Sequence, residues 1–91
     1  MKQFLVVAYD VTDDRRRQKI AKTLEKFGKR SNFSVFECFI TEAKIIRLRE
    51  KLKSLAGDDD CILYYYLCKS CIKKREVQGK EPVDSDEIVW V

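Results

Sequence analysis

The order of apolar strands and amphipathic helices predicts an α+β fold, the ferredoxin-like β-α-β-β-α-β sandwich in which both helices lie on one face of a sheet. Three observations carry this. Phe4 to Tyr9 is apolar throughout, as a buried strand is; Ile20, Ala21, Leu24 and Phe27, then Ile45, Leu48, Leu52 and Leu55, recur at helical spacing; and Cys61 to Leu67 is a second apolar run. Ninety-one residues are too few for the alternating units of a doubly wound sheet. One domain is expected over residues 1–80, followed by an acidic segment, 81–91, that ends in a short strand.

The first strand, about residues 3 to 10, closes on Asp10. A helix then begins near Asp13, with Thr12 and Asp13 as candidate caps, and runs to about Phe27, where Gly28 is the expected stop. From Lys29 to Ile40 the chain is rich in strand formers, with Ser31-Asn32 and Ser34 permitting a short strand, a kink and a longer strand. Core packing is expected of Phe33 and Phe36, and Cys38 and Cys61 read as small buried strand residues. Thr41 can cap the second helix, and Gly57-Asp58-Asp59-Asp60 ends it. Cys61 to Leu67 is expected at the centre of the sheet. The stretch after it is basic and polar, with a short strand expected around Glu76 to Gln78. Ile88-Val89-Trp90-Val91 reads as a strand that either caps its own sheet or pairs with a neighbouring chain.

Nineteen Lys and Arg against fifteen Asp and Glu give a net charge of +4. The last eleven residues hold four acids and no base, which leaves +8 on residues 1–80, and eight bases lie between Arg15 and Arg30. A basic body points to a polyanionic partner, nucleic acid before membrane, because no segment approaches the about 20 apolar residues needed to span a bilayer. A solvated helix face is the plainer alternative. No secretory pattern is expected at the N-terminus, since Asp10 closes the short apolar stretch, and a cytoplasmic location with reduced cysteines follows.

The chain has no histidine, which excludes His-based acid-base catalysis, Ser-His triads and His-containing zinc sites. Hydrolysis by such a chain needs a carboxylate or a carboxylate-held metal ion to activate water. Magnesium suits that role, since it accepts one or two carboxylates and keeps most of its waters. Asp10, at a strand end beside a helix start, is the candidate ligand, although it can equally serve as a helix cap. A two-fold dimer would bring two copies of Asp10 to one ion. Arg15, Arg16, Arg17, Lys19 and Arg30 would then hold phosphates, and Tyr9, Phe33 and Phe36 would stack on bases if exposed.

Cys68-Lys69-Ser70-Cys71 is a lone CxxC. A redox role would want it at the start of a helix after the first strand of a thioredoxin-type unit, and here it follows the last long strand. Inert thiols are expected, with a disulfide within the pair or a zinc site shared by two chains as the alternatives.

Taken in order, Tyr9-Asp10-Val11-Thr12-Asp13-Asp14-Arg15-Arg16-Arg17, Ser34-Val35-Phe36-Glu37, Tyr66-Leu67-Cys68-Lys69-Ser70-Cys71 and the terminal Ile88-Val89-Trp90 resemble the second family of CRISPR-associated proteins. These are small dimeric adaptation factors often described as endoribonucleases. The resemblance implies a role in CRISPR spacer acquisition in prokaryotic antiviral defence, and a homodimer in which the last short strand completes the partner's sheet. It implies Asp10 as the Mg2+ (or Mn2+) ligand at the interface and endonuclease activity on RNA or duplex DNA. It places Tyr9, Arg17, Arg30 and Phe36 where the family keeps residues that support cleavage or bind nucleic acid, and Lys19 where some members have Arg. The alternatives within its compass are a non-catalytic bridge that holds duplex DNA between CRISPR integrase subunits, and a toxin-like messenger-RNA nuclease of related fold.

Overall fold

Side chains alternate across a strand, so a strand apolar at nearly every position must be covered on both faces or left half exposed. In the computed structural model, which describes residues 1–80, β1 (Lys2–Asp10) meets this demand unevenly. Leu5, Val7 and Tyr9 are buried on the helical face, whereas Val6 and Ala8 on the other face stay partly exposed and Asp10 is exposed. The remaining elements are α1 (Asp14–Glu25), β2 (Gly28–Asn32), β3 (Val35–Thr41), α2 (Glu42–Leu55), β4 (Cys61–Leu67) and a short α3 (Lys69–Lys73).

The four strands form one antiparallel sheet in the order β2-β3-β1-β4, the ferredoxin-like arrangement expected from the sequence. Val7 lies at its middle, opposite Phe36 on β3 and Tyr64 on β4. Ile20, Ala21 and Leu24 of α1 and Ile45, Leu48 and Leu52 of α2 pack onto this face and complete the core with Phe36, Cys38 and Ile40. The expected caps form: the Asp13 carboxylate accepts from the Arg16 amide at 2.9 Å, and the Thr41 hydroxyl oxygen accepts from the Lys44 amide at 3.3 Å.

Five expectations need correction. β4 is an edge strand among the described residues rather than a central one. Its run of apolar residues reports two apolar faces, not two strand neighbours, and Leu63, Tyr65 and Tyr66 are exposed on it. Cys61, expected to be buried like Cys38, is exposed as well, because it opens this edge strand opposite the exposed Asp10. Gly28 is not a left-handed helix stop. The helix ends at Glu25, and Gly28 opens β2, where an added Cβ would run into the Glu37 carbonyl and lie 2.5 Å from Cys38 Sγ. The stretch after β4 forms α3 and then no strand at Glu76 to Gln78. Phe33, finally, is at the surface.

The described residues cover the sheet face away from α1 and α2 only in part. There Phe4 stacks on Phe39 with centroids 4.3 Å apart, and Ile72 of α3 is buried. The expected strand at Ile88 to Val91 and the acidic segment 81–91 lie outside the described residues.

Candidate nucleic-acid and metal site

At the end of the sheet where β1 meets α1, Tyr9, Asp10, Arg17, Arg30 and Phe33 line an open depression of about 450 Å³. Three segments build it, and hydrogen bonds fix each. Tyr9, buried, holds the β2–β3 hairpin twice: its backbone N–H donates to the Ser34 carbonyl at 3.0 Å and its hydroxyl to the Phe33 carbonyl at 3.1 Å. Burial pushes the Tyr9 phenol above its ordinary range, against the opposing influence of Arg30 and Arg17. Tyr9 therefore stays neutral near pH 7 and acts here as a fixed donor that shapes the hairpin.

The hairpin carries a register shift between Arg30 and Asn32, and the Phe33 amide donates to the Asn32 side-chain oxygen at 2.7 Å. Phe33 follows in the turn between β2 and β3 and is 88% exposed beside the arginines. Phe36, by contrast, is completely buried, so no base can stack on it directly. Its ring instead supports Arg30, whose guanidinium carbon lies 5.3 Å from the ring centroid, a cation–π contact. Of the two phenylalanines expected in the core, Phe36 is there and Phe33 is not. The turn formers Asn32 and Ser34 around Phe33 were the available signal.

The arginine triplet divides by role. Arg15 is exposed on α1, as is Lys19 one turn on. Arg16 turns away from the depression and pairs with Asp60, its Nε 2.7 Å from Oδ2 and its second nitrogen 3.3 Å from Oδ1. The Asp60 side chain is 1% exposed and also accepts from the Gly57 amide at 2.7 Å, so Arg16 is committed to holding the α2–β4 loop. Arg17 donates to the carbonyls of Val11 and Thr12 at 3.0 and 3.3 Å and pairs with Asp14, bridging the β1–α1 loop while keeping part of its guanidinium in solvent.

Asp10 is exposed at the last position of β1, opposite Cys61. Among the described residues no three acidic or cysteine side chains gather into a metal cage. The depression thus offers a single carboxylate, exposed to solvent. That suits a magnesium-type ion, which takes few protein ligands and keeps its waters, only if a second carboxylate or a phosphate joins.

Fold and site together define a small ferredoxin-like α+β protein with an exposed strand-end carboxylate beside clustered arginines. The family model of CRISPR associated protein Cas2 matches residues 2–75. A relative from Chloroflexus aurantiacus, named CRISPR-associated endoribonuclease Cas2 1, is 42% identical over 81 residues, covering 87% of each chain. The structure of Streptococcus pyogenes Cas2 superposes with a TM-score of 0.74 at 29% identity, covering 84% of this chain and 99% of that one. A chain of a partial Cas6-RT-Cas1–Cas2 complex superposes with a TM-score of 0.72 at 29% identity, covering 89% and 96%. The chain belongs to the Cas2 family of CRISPR-associated proteins. No helix among the described residues is long and apolar enough to cross a membrane.

Proposed function

We propose that this chain acts in CRISPR adaptation as a homodimeric, metal-dependent endonuclease on RNA or duplex DNA, with Asp10 of each copy holding one Mg2+ or Mn2+ ion. The observation that carries this is the placement of Asp10, exposed at a strand end on the sheet face left half uncovered, at the rim of the depression that holds Arg17, Arg30 and Phe33. Leu63 and Tyr65 are 47% and 52% exposed on that same face, and with Val6, Ala8 and Val35 they make an apolar surface suited to a second copy. Relatives named as endoribonucleases support the nuclease reading.

A metal ion held by Asp10 of each copy would supply charge stabilisation on the phosphodiester and a more acidic water. The chain's own residues do the rest. Arg17 and Arg30 bind phosphate oxygens, Arg15 and Lys19 extend the basic track along α1, and Phe33 offers a face for a base. Tyr9 holds the hairpin so that Phe33 and Arg30 keep their places. Arg16 and Phe36 contribute indirectly, Arg16 through the loop it anchors and Phe36 as the platform for Arg30.

The test is cleavage of labelled single-stranded RNA and duplex DNA by wild-type and Asp10→Asn protein, each with magnesium, manganese or chelator. Metal-dependent cutting that disappears in the variant supports the reading; equal cutting by both, or cutting in chelator, overturns it. The similarity to a chain of a Cas1–Cas2 complex favours a second reading, a non-catalytic bridge that holds duplex DNA between CRISPR integrase subunits. That bridge would bind duplex DNA with affinity falling steeply as salt rises and would tolerate Asp10→Asn.

A further inference from the structure

Four cysteines divide into three environments. Cys38 is buried in the core, and burial pushes its thiol up to about 12, so it is inert while the chain is folded. Cys61 stands exposed on β4. Cys68 and Cys71 are both exposed and form a pair, with their sulfurs 3.4 Å apart. The turn between them is closed by the Cys71 amide, which donates to the Cys68 carbonyl at 3.1 Å. Such a turn keeps its end Cα atoms within about 7 Å, close to the span a disulfide bridges. Bond formation needs the sulfurs to approach to about 2.05 Å, a movement that rotation of two solvent-facing side chains supplies without moving backbone. The pair follows the last strand, as the sequence indicated, but Cys68 immediately precedes a short helix, α3, that was not expected there.

We propose that Cys68 and Cys71 are a redox-reactive pair that closes to an intramolecular disulfide by exchange with a small-molecule disulfide of the glutathione class, Cys68 being the attacking sulfur. The Cys68 thiolate attacks one sulfur of the small disulfide and expels the other as a thiolate, leaving a mixed disulfide. Cys71 then gives its proton to solvent and attacks the Cys68 sulfur, expelling the second small thiolate. Two electrons pass from the pair to the small disulfide, which is reduced to two thiols.

The assignment of Cys68 as attacker rests on its neighbours. The Ser70 hydroxyl lies 3.0 Å from its sulfur, and hydrogen bonding with Ser70 first, then with the Cys71 backbone and side chain, lowers the Cys68 thiol to about 7. At neutral pH a large share is thiolate, the reactive form. The next residue after the pair, Ile72, is buried, which holds the short helix and both sulfurs in register.

Full-length protein equilibrated in glutathione buffers of graded potential, then alkylated and mapped by mass spectrometry, tests this. Wild type should pass in one two-electron transition to a Cys68–Cys71 disulfide, with Cys61 and Cys38 unbridged. Cys71→Ser should stop with one glutathione on Cys68, and Cys68→Ser should acquire its adduct on Cys71 more slowly. Cys38 reports integrity, since its alkylation would reveal unfolding in any variant. The proposal fails if wild type keeps both thiols alkylatable even in fully oxidised glutathione, if a mixed disulfide on Cys68 persists beside a free Cys71, or if Cys61 is bridged instead. Equal adduct rates in the two variants would overturn Cys68 as the attacker.

Discussion

Arg75 reaches back to Glu37 in the middle of β3 and grips its carboxylate with both edges, Nε at 2.8 Å from one oxygen and a terminal nitrogen at 3.0 Å from the other. Neither side chain is more than 21% exposed. This pair lies on the sheet face away from the two long helices and ties the segment after α3 down across it. Arg75→Ala should lower stability by about 1–3 kcal/mol, the range for charge-assisted hydrogen bonds removed from a partly buried site. Urea unfolding should show a reduced midpoint at unchanged slope; an unchanged midpoint would mean that the pair contributes nothing net.

Asp60 gives a pH signature. Its carboxyl is held below the usual carboxylate range by the Arg16 guanidinium and then by the Gly57 amide. A group with a lowered folded-state value contributes stability that is fully present above its unfolded value, about 3.9, and is lost as pH falls through the lower folded value. Asp60→Asn should therefore reduce the melting temperature at neutral pH, and the gap to wild type should close as pH drops below about 4. A gap that persists unchanged to low pH would contradict this account.

Phe33 contributes almost no burial to the folded chain, so Phe33→Ala should leave the melting temperature nearly untouched. If the depression beside Asp10 binds single-stranded nucleic acid, the same change should weaken binding by about 1–3 kcal/mol, roughly fivefold to 150-fold. Phe33→Tyr should keep most of the affinity. Quenching of a 2-aminopurine base on binding, lost in the alanine variant alone, would mark the stacking; equal affinity of all three proteins would remove Phe33 from the site.

A dimer built on the sheet face that the described residues leave open should be sensitive to charge there. Tyr65→Glu places a carboxylate on that face without touching the core, and sedimentation should then report a folded monomer that no longer cuts. A variant that keeps the dimer mass would move the interface elsewhere.

Helical spacing made both long helices legible, because Ile20, Leu24, Ile45, Leu48 and Leu52 each repeat on a single face and all are buried. Asp10 was legible as well, since a carboxylate ending an apolar run has few places to go but a sheet end. What composition could not resolve was which neighbour a strand has and which of two close aromatics turns inward. Tyr64 and Tyr65 are the same residue type in one run, yet one packs against the core while the other is half exposed. Phe33 and Phe36 differ because Phe33 stands in the turn of the hairpin whereas Phe36 lies on β3 and faces the core. Arg16 could not be told from Arg15 and Arg17 by spacing, because its partner Asp60 is 44 residues away.

Tyr9 and Asp10 are consecutive residues that face opposite sides of one sheet, the first sealed against the hairpin and the second open to solvent. Their strand is paired along both edges, from Lys2 to Ala8 on one side and from Phe4 to Asp10 on the other. A one-residue insertion or deletion within that paired length would turn the carboxylate inward and the phenol outward. Over evolutionary time this segment should accept changes of side chain far more readily than changes of length, and the count of residues from Phe4 to Asp10 becomes an inherited dimension of the site.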